Sequence, residues 1–147
     1  MNAPLVEVNV GWTPDLSVGS TLLDARNLAL LDALSNIEYV IAAGVPEPGA
    51  WLRGLLLDLK YLLAAEEAEL AAIDYPELAF HRLLHDHARG IIDATSMALD
   101  KADNWRQVEA IVRTRGTELS VWLMRHVQDA DKLFFPYIDI RYRQPTS

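Results

Sequence analysis

Five residues able to bind a metal ion fall in three segments of the sequence. HRLLH contributes His81 and His85, WLMRHVQDAD contributes His126 and Asp131, and Glu66 lies alone on a stripe of leucines. A spacing of four residues places His81 and His85 one turn apart on the same face of a helix. Asp131 follows His126 by five residues, about 140° around an ideal helix, so the two converge only if that helix ends or loosens between them.

Their predicted burial suggests that these residues share a function. Histidine and glutamate are costly in an apolar core unless they are paired or bound to a metal. One polar residue on an apolar face is usually a satisfied core group. Four of them, Glu66, His81, His85 and His126, on the inward faces of three helices favour a metal site in the core. Glu67 and His87, which fall on other faces, are predicted to be solvated.

Apolar residues that recur every three or four positions predict the helices that carry this site. The predicted spans are residues 20–43, 48–73, 74–100 and 104–129. Ser20 or Thr21 can cap the first helix and Gly44 can stop it, whereas Asp74 and Asn104 are predicted caps of the last two.

Four helices of this length with short connections predict an all-α fold, an up-down-up-down antiparallel four-helix bundle. Residues 1–147 are expected to form a single domain. An extended arm, residues 1–19, precedes the helices, and a C-terminal segment, residues 130–147, includes a short helix.

Composition excludes several functional classes. A net charge of −8 and a pI near 4.8 argue against binding to nucleic acid or to an anionic membrane. The absence of cysteine excludes disulfides, thiolate catalysis and iron–sulfur clusters, so a metal must take nitrogen or oxygen ligands. Without a signal-like N-terminus or a long apolar run, the chain is expected to be cytoplasmic. No glycine-rich phosphate loop or nucleotide motif is present.

Five segments together resemble the hemerythrin and bacteriohemerythrin family of non-haem di-iron four-helix bundles. They are WTPDLSVG from Trp12 to Gly19, DARN from Asp24 to Asn27, LLAAEEAEL from Leu62 to Leu70, HRLLH and WLMRHVQDAD. The resemblance covers nearly the whole chain. It implies that His81, His85 and His126 bind one iron ion, and that Glu66 and Asp131 are the carboxylates that bridge two iron ions in the family.

The chain departs from the family pattern where the second iron should bind. The resemblance implies two further histidines, but these positions hold Asn27 and Leu62. Because these two histidines are missing, we expect an altered site with one iron per chain. Oxygen binds at the second iron in the family, so ordinary reversible oxygen carriage is not expected. Manganese, or a second metal displaced toward Asp24 and Asp58, is an alternative. The expected ligand is oxygen, peroxide or another small molecule, in a pocket formed by Leu30, Trp122 and Leu123.

The sequence leaves three other interpretations open. The protein could be an enzyme instead of a simple binder of small ligands, and it would then be a non-haem metal-dependent oxidoreductase. It is alternatively a metal-free scaffold that acts through its surface, or a subunit whose site is completed by a protein partner. Retention of five residues of ligand type argues against the metal-free scaffold.

Overall fold

The computed structural model describes residues 17, 18, 20–44, 46–130, 133, 136 and 137. Its helices are α1 (Thr21–Ser35), α2 (Ile37–Ala42), α3 (Pro48–Ala72), α4 (Leu78–Lys101) and α5 (Trp105–Asp129). No strand occurs among these residues, which confirms the predicted all-α fold. None of the helices in the described ranges is long and apolar enough to cross a membrane.

The helices pack as the predicted antiparallel bundle, with α1 and α2 together forming one of its four sides. Consecutive helices are neighbours, and α5 closes the bundle against α1. Ion pairs show the antiparallel register of α3 and α4: Arg53 lies 2.6 Å from Asp100, and Lys60 lies 3.5 Å from Asp93. The buried apolar side chains form one core cluster between the helices.

The predicted first helix is interrupted at Asn36, which separates α1 from α2. The side-chain amide of Asn36 donates to the carbonyl oxygen of Asp32 over 2.7 Å, and the Ser35 hydroxyl donates to the same oxygen over 2.9 Å. Such local side-chain bonds compete with the helical ladder of backbone hydrogen bonds. Beyond α2, Gly44 has a φ of 69°, as expected for the residue that stops the helix.

The third predicted helix begins later than expected, because Asp74 ends α3 instead of capping α4. Asp74 has a φ of 53°, and the Tyr75 N–H donates to the Leu70 carbonyl over 3.0 Å. This is the left-handed residue and long backbone bond of a Schellman motif. Tyr75 is buried against the end of α3, and α4 begins only at Leu78.

Described residues of both terminal segments contact the bundle. The carboxylate of Asp24 accepts hydrogen bonds from the Ser17 hydroxyl at 2.6 Å and from the Val18 N–H at 2.8 Å. At the other terminus, Pro136 and Tyr137 are helical, and the Tyr137 ring packs edge-on against Tyr75 at 5.2 Å. The rest of the predicted arm, Trp12 and Gly19 among it, lies outside the described residues.

Candidate metal centre

Three helices bring four of the five predicted ligands together in the core. Glu66 comes from α3, His81 and His85 come from α4, and His126 comes from α5. Their inward faces follow from the three- and four-residue spacing, and none of the four side chains is more than 5% exposed. Each offers a ligand atom, and these atoms all lie within 4.8 Å of one another.

The four side chains converge on one carboxylate oxygen. Oε1 of Glu66 lies 2.5 Å from Nε2 of His81, 2.9 Å from Nε2 of His85 and 3.3 Å from Nε2 of His126. Nε2 of His85 and Nε2 of His126 are 3.0 Å apart. With metal–nitrogen bonds of about 2.1 Å, adjacent donors of an octahedral or tetrahedral site are roughly 3.0–3.4 Å apart. The cluster is therefore close to the dimensions of a metal site.

The electrostatics of this cluster favour a cation. Burial alone raises the pKa of Glu66, but hydrogen bonds from His126, His81 and His85 hold the pKa of this carboxyl well below its ordinary value. An ionised Glu66 among imidazole nitrogens requires positive charge at the centre, which imidazole protons or a metal cation can supply. Three imidazole nitrogens and a carboxylate oxygen are a donor set suited to iron, manganese, cobalt or zinc.

Glu67 is not solvated as the sequence pattern predicted, and this prediction was wrong. Its side chain is 14% exposed, and its Oε2 lies 2.6 Å from Nδ1 of His85 and bonds to the guanidinium of Arg89. Burial tends to raise the pKa of Glu67, but the hydrogen bonds from His85 and Arg89 lower it. The placement of Arg89 one turn after His85 was the available signal, since residues four apart share a helix face.

The two positions that replace the second pair of histidines are both in the core. Leu62 is 1% exposed and offers no ligand atom, while Asn27 is completely buried. Neither Nδ2 nor Oδ1 of Asn27 has a hydrogen-bond partner within the described part of the chain. The side chain of Ile37 packs directly on Gly116. Asn27 precedes Ile37 by ten residues, and His126 follows Gly116 by ten residues. Because α1 and α5 are antiparallel, Asn27 and His126 lie at about the same height in the bundle.

A displaced second metal finds little support among the described residues. They contain one group of at least three suitable ligands, and neither Asp24 nor Asp58 belongs to it. Both oxygens of Asp24 accept hydrogen bonds from residues 17 and 18, so this side chain attaches the arm to α1. Asp58 is exposed on α3 and lines a surface groove with Leu30.

The predicted pocket residues lie in different parts of the structure. Leu30 is buried at the edge of the groove between α1 and α3, which has a volume of about 320 Å³. Trp122 is half-buried and stacks on His126, with ring centroids 4.5 Å apart and an interplanar angle of 14°. These two rings border another groove of about 320 Å³, between α4 and α5. Leu123 lies in the core, and Asp131 lies outside the described residues.

Comparison with known protein families matches residues 18–138 to the Hemerythrin HHE cation binding domain. The chain belongs to this family. The match spans all the helices and both histidine segments, and it confirms the resemblance seen in the sequence. No curated protein and no solved structure gave a significant match. The family description and the donor cluster agree on a site for a cation.

Proposed function

We propose that this protein binds a single divalent transition metal ion, with iron the first candidate, and uses it to bind oxygen, peroxide or a similar small molecule. The proposal rests on the convergence of His81, His85 and His126 on Oε1 of Glu66. These residues would hold the ion through three neutral imidazoles and one carboxylate. A bound iron or manganese ion would supply the redox-active centre and a coordination position for the small ligand.

Asp131 is proposed as the fifth ligand. The sequence allows Asp131 and His126 to converge only if their helix ends or loosens between them. Helix α5 ends at Asp129, two residues before Asp131 in the sequence. This supports the proposal. The carboxylates of Glu66 and Asp131 together would balance the charge of a divalent ion.

The opposite side of the cluster supports a single metal ion over a pair. Each ion of a pair needs its own ligands, and imidazole or carboxylate groups are the usual ones. Here α1 contributes Asn27 and α3 contributes Leu62, which are a neutral amide and a hydrocarbon. Buried leucines of the core, such as Leu62, would exclude water and form an apolar wall around a bound small molecule.

The first experiment measures metal content and absorption of protein purified in air after expression with ample iron. One metal ion per chain, without the strong near-ultraviolet bands of an oxo-bridged iron pair, is the expected result. His85→Ala should lower the metal content to near zero. His87→Ala is the matched control, because His87 is an exposed histidine of the same helix outside the cluster. Two iron ions per chain, or none, would overturn the proposal.

The small ligand is tested with azide, which is a stable anionic probe of an open coordination position. Adding azide to the iron-loaded protein should produce a new charge-transfer absorption band that saturates with concentration. A spectrum that does not change shows that no position is open, and the proposed ligand binding then fails while metal binding stands.

An oxidoreductase is the second candidate function, and the groove between α4 and α5 is the observation that favours it. Its volume of about 320 Å³ is at the lower end of the range for sites of organic molecules. His126, a proposed ligand, lies in its wall beside Trp122. An enzyme would oxidise an organic reductant with peroxide in a metal-dependent way, and His85→Ala would abolish this activity. A pure binder would take up azide without such turnover.

A further inference from the structure

A second carboxylate lies outside the ring of proposed ligands, directly behind His85. Nδ1 of His85 is 2.6 Å from Oε2 of Glu67, while Nε2 of the same ring faces Glu66. His85 is completely buried, so water does not compete for its ring nitrogens. Glu67 is the partner of Nδ1, and Glu66 and His126 are the neighbours of Nε2. An ionised carboxylate accepts hydrogen bonds and donates none, so the proton on Nδ1 belongs to the imidazole and points at Glu67.

This contact decides which nitrogen of His85 is available to a metal. With the proton held on Nδ1, the neutral ring presents the lone pair of Nε2 to the centre of the cluster. A hydrogen bond from the remote nitrogen to a carboxylate also fixes the orientation of the ring and raises its basicity as a ligand. Glu66 and Glu67 are adjacent in α3 but contact different nitrogens of the same imidazole ring.

Arginine side chains from α4 hold Glu67 in place. Arg89 donates to Oε2 of Glu67, and Nε of Arg82 lies 3.5 Å from Oε1. Arg89 also bonds to Asp86 at 3.1 Å, so its guanidinium is fixed from both sides. Because Glu67 is only 14% exposed, these cations stabilise its charge and its rotamer where water cannot.

We propose that Glu67 is a positioning residue for the metal site, which orients His85 through Nδ1 and is itself clamped by Arg89. The assignment rests on the proposed function, because it concerns the same site. Arg89 acts on the metal only through Glu67. The two residues therefore form a chain of contacts from the protein surface to the buried ligand.

The test compares the Co²⁺ affinity of purified, metal-depleted variants, measured by competition with a coloured chelator. Glu67→Gln keeps the shape of the side chain but removes its charge. It should weaken Co²⁺ binding about 10- to 100-fold, which is the usual effect of losing such a partner. Glu69→Gln is the matched control on the same helix, because the Glu69 side chain has no hydrogen bond or ion pair among the described residues. It should bind Co²⁺ like the wild type.

A double variant separates positioning from general stability. Arg89→Gln should weaken Co²⁺ binding less than Glu67→Gln does. The combination of the two should match Glu67→Gln alone, because Arg89 has nothing left to hold. The melting temperature without metal should fall little in Glu67→Gln, whereas the increase in melting temperature on adding Co²⁺ should shrink. The absorption bands of bound Co²⁺ should also shift, because the His85 ring is no longer fixed.

The outcomes distinguish this inference from the proposed function. If the wild type binds no Co²⁺, Mn²⁺ or Fe²⁺, the proposed function itself is wrong. If the wild type binds Co²⁺ and Glu67→Gln binds it equally tightly with the same spectrum, only the role of Glu67 is refuted. Equal melting losses with and without metal, at unchanged affinity, would show a structural role and also overturn the inference.

Discussion

The side-chain amide of Asn27, which has no hydrogen-bond partner among the described residues, leads to a quantitative prediction about stability. A buried amide without hydrogen bonds destabilises a folded protein by about 1–3 kcal/mol. Leucine branches at Cγ as asparagine does, replaces both polar atoms with methyl groups, and has a higher helix propensity by roughly 0.5 kcal/mol. Its larger volume works against this gain, since overpacking of a core costs about 1–3 kcal/mol.

Asn27→Leu should therefore raise the free energy of unfolding of the metal-free protein slightly, by about 0.5 kcal/mol, because mid-range values of about 2 kcal/mol for desolvation and about 0.5 kcal/mol for helix propensity exceed an overpacking cost of about 2 kcal/mol. For a chain of this length each kcal/mol is roughly 2–4 °C in melting temperature. The measurement is urea and thermal unfolding in the presence of a chelator, followed by circular dichroism. Thr95→Val is the control, because the equally buried Thr95 hydroxyl is satisfied by the Ile91 carbonyl at 2.6 Å.

Asn27→Ala tests the same property of the buried amide if the leucine side chain does not fit. Asn27→Ala removes the amide without adding volume, so it should leave the free energy of unfolding within about 1 kcal/mol of the wild type. Truncating a buried side chain that makes good hydrogen bonds costs more than this. If both variants lose more than about 2 kcal/mol, the amide has partners and the reasoning about Asn27 is wrong.

Two other predictions concern packing and metal number. Gly116→Ala should lower the free energy of unfolding by up to about 2 kcal/mol in a urea titration, because a new β-carbon would overlap Cδ1 of Ile37 and this overpacking outweighs the helix-propensity gain of about 1 kcal/mol. Gly90→Ala, where the β-carbon meets nothing within 4 Å, should instead gain up to about 1 kcal/mol, and equal effects would contradict this. Asn27→His combined with Leu62→His should raise the iron content from one to two ions per chain. An unchanged content would show that the missing imidazoles are not what limits the site to one metal.

Periodicity predicted the inner residues of the site well. A spacing of three and four residues identifies one face of a helix, and that face was buried for Glu66, His81, His85 and His126. The conclusion needs no knowledge of the neighbouring helices, because a bundle helix must direct its apolar stripe inward. Polar residues that interrupt such a stripe can therefore be recognised from their spacing alone.

The parts that the sequence did not predict depend on contacts between segments or on local competition for the backbone. Glu67 is about 100° from Glu66 around α3, so the stripe assigned it to solvent. Its partners, His85 and Arg89, belong to another helix, and the contact depends on side-chain reach. Asn36 interrupts the first helix through side-chain bonds to one carbonyl, and Asp74 adopts a left-handed conformation at the end of α3. Neither event changes the apolar period.

The distribution of donor groups in the core agrees with the proposal of a single metal ion. All the donors that the structure brings together come from α3, α4 and α5, and the carboxylate of Glu67 supports them from behind at the α3–α4 contact. Helix α1 packs against both α3 and α5, and its buried side chains in the described part of the chain are leucines and Asn27, whose amide has no hydrogen-bond partner there. The polar half of the core is thus displaced toward α4, and the half beside α1 is apolar. In the proposed site, an ion held by these donors would have its ligands on one side and the apolar wall beside α1 on the other, which would exclude water from a bound small molecule.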